Sequence, residues 1–285
     1  MTVRYSRGVP RSGFTLIELT IVIVIIALLV SLLLAGVMKA LARGPEIQTR
    51  VEIGEMESAV QSVVQSYRIK FVPSRLKLSE TNTYPQAAVV GTDDYNTVQF
   101  LKRMFPRISL SIGHDWNRDG TIADPATGPV ILQGAECLVF FLGGAPGPLG
   151  QGFSNDPADP AHVGVSIQPP AFEFKTSRLV ASAFAPGYNV YLNNYGKKAL
   201  PYLYFTSYYQ GNDYQADCAS YGVVPYTDPA TSRYIYPNSF QIISAGALGV
   251  YGPGGAIWNP RTGTTNVSAM DNQANFAPGL LRATQ

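Results

Sequence analysis

The hydrophobic positions of the chain begin with one long apolar run near the N-terminus. Residues 14–38 contain a single charged side chain, Glu18, and only three other polar side chains, Thr15, Thr20 and Ser31. A helix of that length extends about 37 Å, which is enough to cross a hydrocarbon layer of about 30 Å. Because a helix in the core of a soluble protein is rarely apolar on every face, this run predicts a membrane-spanning helix.

The apolar positions that follow take on a helical repeat. Gly44 and Pro45 predict a kink or the start of a new segment. Beyond them, apolar side chains recur every three to five residues, and acidic or amide side chains lie between them. The apolar positions are Ile47, Val51, Met56, Ala59, Val60, Val63, Val64 and Tyr67, and the polar positions are Glu52, Glu55, Glu57 and Gln61. We expect the helix to continue to about Lys70 with one face on a globular domain, and Val72-Pro73 to end it.

A second, shorter helix is predicted at residues 94–108, where the apolar side chains keep a helical period. Asp94 or Thr92 can cap its first amides, and Pro106 is expected to end it early. Residues 113–170 are rich in Gly, Pro and Asp and predict a loop-rich insertion. The apolar run Glu136–Leu142 packs this insertion and fits either a strand or a helix.

Aromatic and β-branched side chains predict two strands in the last third, Tyr202–Thr206 and Ser239–Ser244, in an antiparallel sheet. Most tyrosines of the chain lie between Tyr188 and Tyr251, where they form either sheet core and cross-strand pairs or an exposed stacking surface. The tail after Tyr251 shows no period and predicts coil. The predicted fold class is α+β: a long N-terminal helix, transmembrane in its first half, packed on an antiparallel β-sheet head with loop-rich insertions.

The distribution of charge excludes one class of partner. The formal net charge is +2, but Arg4, Arg7 and Arg11 all lie within the first thirteen residues, so a chain without them carries −1. The remaining residues have no basic excess with which to bind nucleic acid. Three arginines directly before an apolar span also favour a cytoplasmic N-terminus.

Residues 13–19 form a distinctive string at the start of the apolar run. Gly13 is followed by Phe14, and Glu18 comes four positions after the phenylalanine. This string resembles the leader and methylation motif of type IV prepilins, which include type IV pilins and the pseudopilins of type II secretion. The resemblance implies that a membrane aspartyl peptidase, the prepilin peptidase, cuts between Gly13 and Phe14 and methylates the new amino terminus of Phe14. It also implies that Glu18 is the signature glutamate of the family.

The same resemblance implies three segments. Residues 1–13 would be a cleaved basic leader, residues 14–44 the transmembrane half of the N-terminal helix, and residues 45–285 a periplasmic pilin-like head that includes the amphipathic half of the helix. The implied partners are the peptidase, other pilin-like subunits, the inner membrane and an assembly platform protein. The implied location is the inner membrane, crossed once with the N-terminus in the cytoplasm, and a filament after assembly.

The position of Glu18 has a physical consequence. A carboxylate within a membrane span costs roughly 2–3 kcal/mol near the centre unless it finds a partner. No Lys or Arg lies within reach of Glu18 on its own helix. A free amino group at Phe14 of a neighbouring subunit would neutralise the carboxylate and set the register between subunits. The alternative is a single-pass anchor in which Glu18 lies at headgroup depth.

A second resemblance lies in the last third of the chain. Leu192–Gly196, followed by Pro201–Tyr204, resembles the Asp-Pro-Trp-Gly-Asn-Pro-Tyr segment of major pseudopilins. Phe240–Gly249 is similar to their Tyr-Asp-Ile-Tyr-Ser-Leu-Gly-Ala-Asp-Gly strand and turn. The predicted function is therefore a structural subunit of a type II secretion pseudopilus. The alternatives are a major or minor pilin of a type IV pilus, and a membrane-tethered periplasmic binding module that does not polymerise.

Major pseudopilins bind calcium in the loop after that strand, and the resemblance implies a candidate calcium site here. Asp271, Asn272 and Asn275 match the later ligands, but Leu248 stands at the position of the family's first aspartate and offers no oxygen. The alternative interpretation is that these side chains cap turns.

A second candidate calcium site is formed by Asp115, Asn117 and Asp119, with Asp124 as a later ligand. Oxygen-bearing side chains at alternate positions before Gly120 resemble the first half of an EF-hand loop. A loop built on Asx-turns explains the same residues without a metal.

The remaining reactive side chains do not predict an enzyme. Cys137 and Cys218 either form one disulfide or remain two free buried thiols. His114 adjoins the acidic loop and His162 lies in a Pro-rich stretch, so neither has an obvious nucleophile or carboxylate placed to orient it. The chain also contains no nucleophile-elbow, phosphate-loop or zinc-protease string.

Overall fold

In a computed structural model the chain is described at residues 15–85, 89–146, 152–162, 164, 166–208 and 211–282. It divides into two compact units between Gly44 and Pro45. The predicted assignment of leader, membrane and periplasmic segments concerns compartments and stays a prediction.

The N-terminal helix α1 runs from Leu16 to Ser66 and is continuous through Pro45. The predicted start of a new segment at Gly44 and Pro45 coincides with the boundary between the two units, and the helix continues through it as expected. The helix ends four residues before the predicted Lys70. Arg68 takes a left-handed conformation with φ of 51°, and the Ile69 N–H bonds back to the Val64 carbonyl at 3.1 Å. This bond closes the last turn as in a Schellman motif.

The second half of α1 buries one face, which differs in part from the predicted one. Met56, Ala59, Val60 and Val63 are buried as expected. Ile47 and Val51 are exposed instead, while Thr49, Glu52 and Ile53 are buried. The buried positions follow a strict spacing of three and four residues, and this spacing places Ile47 and Val51 on the solvent side.

The two shorter helices agree with the predicted positions. Helix α2, Asp93–Met104, is capped by Thr92, whose side chain accepts a hydrogen bond from Tyr95 N, and it ends before Pro106 as predicted. Helix α3, Gly134–Gly143, resolves the open choice for the apolar run at residues 136–142. All ten of its residues are buried, which explains why the run shows no polar face.

Within the described residues the strands are short and form four small sheets. The strands are β1 Leu76–Leu78, β2 Val130–Leu132, β3 Leu179–Ala181, β4 Asn189–Tyr191, β5 Leu203–Thr206, β6 Val224–Tyr226, β7 Phe240–Ser244, β8 Gly254–Gly255 and β9 Gln273–Ala274. The central sheet has the order β5-β7-β9 and is antiparallel, with Leu203 opposite Ile243 and Ile243 opposite Ala274. Strands β1 and β2, and β3 and β4, form antiparallel pairs, whereas β6 and β8 pair in parallel.

Two of these strands confirm the sequence prediction and two correct it. β5 and β7 lie within the predicted strands at residues 202–206 and 239–244. The tail after Tyr251, predicted as coil, supplies β8 and β9, and the two residues of each are too few to produce a periodic pattern. Asn275 holds β9 in place, because its side chain accepts from Ile242 N at 2.9 Å and donates to the Phe240 carbonyl at 3.2 Å.

The central sheet is buried on both faces. Tyr204 and Ile242 join a core with Met56 of α1 and Phe140 of α3. Neighbouring residues of the same strands point the other way, and they form a second core with residues of the tail. This second core contains Leu203, Phe205, Ile243, Tyr226, Trp258 and Phe276. The buried tyrosines favour the core interpretation over an exposed stacking surface.

Candidate functional site

The candidate assembly site lies at the first turn of α1. Gly13 and Phe14, the predicted processing and methylation positions, lie outside the described residues. Thr15 and Glu18 form a capping box: Thr15 N and Thr15 Oγ1 donate to Glu18 Oε2 at 2.9 and 2.8 Å, and Glu18 N donates to Thr15 Oγ1 at 3.3 Å. Each side chain thus accepts a hydrogen bond from a backbone N–H that has no partner within the helix.

The spacing of Thr15 and Glu18 in the sequence is itself a local signal for this contact. A threonine followed three positions later by a glutamate, just before an apolar run, is the sequence signature of a capping box. Glu18 therefore has hydrogen-bond partners on its own chain, although it makes no salt bridge within the residues that the structure describes.

Behind this turn, α1 presents apolar side chains on all sides. The large apolar side chains from Leu16 to Met38 are all exposed, by between 44% at Val22 and 84% at Leu16. The helix is long and apolar enough to cross a membrane. A single chain leaves this surface uncovered, so it needs lipid or other apolar helices around it.

Comparison with known proteins bears on this same segment. Residues 10–34 match the family model described as the prokaryotic N-terminal methylation motif. The chain carries the signature of type IV pilins and pseudopilins. No curated protein and no solved structure matched the chain. The motif supports a type IV pilin-like protein and implies processing by prepilin peptidase and assembly with other pilin subunits.

In the head, a buried ion pair connects α1 to the segment before β3. Glu52 is 4% exposed, and its carboxylate accepts from both terminal nitrogens of Arg178, one of them at 2.9 Å. Tyr202 OH donates to the same carboxylate at 2.8 Å, and the Arg178 guanidinium lies 4.4 Å from the centre of the Tyr191 ring. Burial alone would lower the pKa of Arg178, but the hydrogen bond and charge of Glu52 raise it. Sequence periodicity placed Glu52 on the solvent side, and that prediction is wrong because Arg178 pairs with it.

The two segments that resemble pseudopilins lie against each other. Asn193, which is buried, donates through its side chain to Ser244 Oγ at 3.0 Å and to the Ala245 carbonyl at 2.7 Å. Asn194 donates to the Gln48 side chain on α1. The loop before β5 is thereby connected both to the turn after β7 and to the long helix.

The candidate calcium ligands near the C-terminus take part in the packing of this turn. Asp271 Oδ2 accepts from Leu248 N at 2.6 Å, and both polar atoms of the Asn275 side chain bond to the β7 backbone. Asn272 is buried, and its backbone accepts from Leu281 N at 2.9 Å. The side chains of Asp271 and Asn275 thus contact the backbone of the turn and of the sheet.

The second candidate calcium loop also folds on Asx-type contacts. Asp115 accepts from Asp119 N at 3.1 Å and Gly120 N at 3.0 Å, and Asn117 Oδ1 accepts from Asp119 N at 2.8 Å. Asp119 accepts from the backbone and hydroxyl of Thr121. These contacts occupy the oxygens that the sequence proposed as ligands.

Asp124 does not join this loop but bonds to the segment after β1. Its carboxylate accepts from Glu80 N at 2.7 Å, and from Ser79 Oγ and Thr81 Oγ1. Glu80 approaches the loop instead, since it accepts from Asn117 N at 3.4 Å and Ala123 N at 3.2 Å. Burial raises the pKa of Glu80 to about 7, with smaller contributions from Asp115 and Asp119. The sequence does not identify Glu80 as a neighbour of this loop, because Glu80 lies 37 positions before Asn117.

Calcium binding at either loop stays a prediction. Among the residues that the structure describes, no group of three or more His, Cys, Asp or Glu side chains could hold a metal ion. Calcium that binds the folded chain would raise its melting temperature, and a chelator would lower it again. A melting temperature that is the same with calcium and with chelator would contradict both candidate sites, and Asp119→Asn identifies which loop responds.

The histidines have a carboxylate that the sequence did not reveal. His114, fully buried, lies with Nδ1 2.7 Å from Asp159 Oδ1 and Nε2 2.9 Å from the Ser109 carbonyl. His162 Nδ1 lies 3.8 Å from Asp159 Oδ2. The expectation that neither histidine has an orienting carboxylate is therefore wrong. Both nitrogens of His114 contact acceptors, so the ring is oriented as a structural contact between loops.

Cys137 and Cys218 are free and buried in the structure. The Cys137 thiol lies 3.7 Å from the Leu132 carbonyl, and the Cys218 thiol lies 3.5 Å from the Tyr204 carbonyl. Burial raises the pKa of both thiols above the usual range. This arrangement corresponds to the free-thiol alternative.

Proposed function

We propose that this chain is a structural subunit of a type II secretion pseudopilus. Prepilin peptidase cuts the leader after Gly13, and the mature subunit assembles through its N-terminal helix. The observation that carries the proposal is the methylation motif at residues 10–34, set at the start of a helix that is long enough to span a membrane and apolar on every side.

One helix serves two states in this account. Before assembly the apolar half of α1 lies in the inner membrane, with the N-terminus in the cytoplasm and the head in the periplasm. In the filament the same surface packs against the helices of other subunits. The uniform exposure of its apolar side chains supports this, because neither lipid nor a helix bundle requires a polar face.

The choice of pseudopilus over pilus rests on the last third of the chain. The segments at residues 192–204 and 240–249 resemble major pseudopilins in sequence and order. Asn193 joins them by bonds to Ser244 and Ala245, and β5 pairs with β7. These contacts support the interpretation of the two segments as parts of one unit.

A type IV pilin is the second candidate, because the methylation motif is shared by both kinds of filament. Deletion of the gene in its own host separates the two. The proposal predicts that exoproteins accumulate in the periplasm and that the wild-type gene restores their secretion. Intact secretion with loss of twitching motility or DNA uptake would contradict the pseudopilus and support the pilus.

A membrane-tethered binding module that does not polymerise is the third candidate. Single cysteines near Phe14 and Glu18 distinguish it, because subunits in a filament would crosslink through these positions upon oxidation. A cysteine in place of Ile122, an exposed position of the head, is the matched control. Crosslinking at neither helix position in assembling cells would support the tethered module.

A further inference from the structure

Two loops of the head expose apolar side chains next to each other. Leu248 and Val250 are 48% and 44% exposed, and Val267 and Met270 are 72% and 36% exposed. The loops are in contact, since Leu248 N donates to Asp271 Oδ2 at 2.6 Å. A Cβ built on Gly252 would lie 2.4 Å from the Ala269 Cβ, so the two backbones also touch. We call these four side chains the rim patch.

Two lysines border the rim patch. Lys197 and Lys198 belong to a short 3-10 helix, Gly196–Lys198, and both are exposed. A Cβ on Gly249 would lie 2.8 Å from the Lys198 Cβ, which places this lysine directly against the loop of Leu248 and Val250. Within the described part of the chain neither lysine forms a salt bridge. The carboxylate of Asp271 accepts from Leu248 N in the facing loop.

The rim patch lies at the end of the head where the chain enters it from the apolar run. Gln273 donates to the Glu46 carbonyl at 3.0 Å and to Tyr195 OH at 3.2 Å. Asn194 donates to the Gln48 side chain. Each contact involves a residue within four positions of the lysines or of Met270. The contacts therefore hold the loops of Lys197 and Met270 beside Glu46 and Gln48, which are among the first residues of α1 that belong to the head. Only eight positions separate Glu46 from Met38, where the apolar run ends.

We infer that the rim patch, with Lys197 and Lys198, contacts the phospholipid surface of the membrane that holds the apolar helix. Its apolar side chains enter the interface, and the two ammonium groups bind the phosphates of anionic headgroups. The charge favours lipid over a second copy of the head, because two copies facing each other would bring like-charged lysines together. The inference rests on membrane anchoring of the helix and is independent of which filament the subunit enters.

The contact gives the membrane-resident subunit a preferred orientation. A head held only by its helix is free to tilt, whereas a head that also touches lipid through one rim is restrained. On extraction into a filament the rim patch leaves the bilayer, so its lipid contact opposes extraction and marks the unassembled state.

Fluorescence quenching in vesicles tests the lipid contact on the full chain. Leu248→Cys carries an environment-sensitive nitrobenzoxadiazole label, and the vesicles contain phosphatidylethanolamine, phosphatidylglycerol and a spin-labelled lipid as quencher. The unsubstituted protein is the blank, because its two cysteines are buried. Ile122→Cys is the matched control, being 55% exposed. Its loop adjoins Gly113 and Glu80.

We expect quenching at Leu248→Cys to exceed that at Ile122→Cys by about threefold or more, because an interfacial side chain lies within reach of lipid-borne quencher. Lys197→Gln with Lys198→Gln should reduce the ratio of heads whose rim patch contacts lipid to heads whose rim patch does not, by about fivefold for each lysine removed. The matched pair Lys102→Gln with Arg103→Gln on α2 should leave it unchanged, and vesicles of phosphatidylcholine alone should abolish the effect of the lysines.

Three results would overturn the inference. Equal quenching at residues 248 and 122 would show that lipid approaches the head without preference. Absence of quenching at residue 248 in a chain that resists carbonate extraction would exclude the rim contact while leaving membrane anchoring intact. Protection of the Leu248 label that rises with the protein-to-lipid ratio would assign the patch to a second copy. Release of the chain by carbonate would instead contradict the membrane anchoring on which the proposed function depends.

Discussion

Glu18 has two candidate partners, one on its own chain and one on another. The Thr15 backbone and hydroxyl already donate to its carboxylate, which satisfies the hydrogen bonds but leaves the negative charge uncompensated. Cleavage after Gly13 would create a positively charged amino group at Phe14, directly before the capping residue. A neighbouring subunit that offers this amino group would supply the missing charge.

The two roles of Glu18 can be separated by substitution. Glu18→Ala should leave cleavage intact but reduce filament yield about tenfold or more, since a carboxylate in a membrane span gains roughly 2–3 kcal/mol from a partner. Thr15→Val removes the hydroxyl of the capping box but keeps the charge, so it should assemble nearly as well as the wild type. Immunoblots of sheared filaments and of processed subunit measure both. Normal assembly of Glu18→Ala would refute the register role.

The buried ion pair in the head makes a second prediction at this scale. Arg178→Met removes the hydrogen-bonded cation of the buried Glu52 carboxylate and leaves Lys175, which is 57% exposed, at 3.6 Å from it. The substitution should therefore cost about 3 kcal/mol and lower the melting temperature accordingly. Arg75→Met is the matched control, because the Arg75–Asp93 pair is about one-third exposed and should contribute at most about 1 kcal/mol. Thermal unfolding of the full chain in detergent compares them. Equal shifts for the two variants would mean that burial of Glu52 carries no special cost.

At the scale of elements, α3 and the central sheet depend on one close approach. A Cβ on Gly134, the first residue of α3, would lie 1.8 Å from the Tyr204 carbonyl oxygen of β5 and 2.7 Å from the Cys218 thiol. Any side chain at this position must push the helix away from the strand. The packing of α3 on β5 therefore requires glycine here.

Gly134→Ala should consequently destabilise the head by more than about 2 kcal/mol, as expected for overpacking against backbone. Gly54→Ala is the matched control, because a Cβ there meets no atom within 4 Å and alanine favours the helix by roughly 0.5–1 kcal/mol. Melting temperatures should fall for the first variant and stay level or rise for the second. A fall of similar size in both would contradict the packing argument.

The elements that the sequence predicted correctly are those with local signals. Helix α2 has a capping threonine, a regular apolar period and a proline beyond its end, and its observed bounds, Asp93–Met104, lie close to the predicted ones. Strand β9 has only two residues and depends on the side chain of Asn275, so no local pattern announces it. The buried face of α1 was shifted for the same reason, because Glu52 is buried by a partner 126 positions away.

The candidate sites also divide into those with a local sequence signal and those formed by distant segments. Residues 13–18 form a contiguous motif, and the family model matches the segment that contains them. The partner of Glu18 within the chain also had a local signal, the spacing between Thr15 and Glu18. The contacts of Glu80 with the Asp115 loop, and of Asp159 with two histidines, join distant segments. Such contacts become visible only once the loops are folded together.

For the whole molecule, the two units meet different physical requirements. In the first, the large apolar side chains from Leu16 to Met38 are exposed, and the second buries two cores on either side of one three-stranded sheet. Exposure of the apolar half of α1 to water is unfavourable. This helix, with the methylation motif at its start, fits membrane anchoring. The central requirement of the proposed function is that the chain is cut and methylated at one defined bond.

The mass of the mature N-terminal peptide tests this claim most directly. Protein isolated from host membranes, digested and analysed by mass spectrometry, should yield a peptide that begins at Phe14 and carries one added methyl group on its amino terminus. Gly13→Leu should block processing and keep the leader of residues 1–13 attached. A wild-type protein that retains Met1, or that is cut at a different bond, would contradict the account.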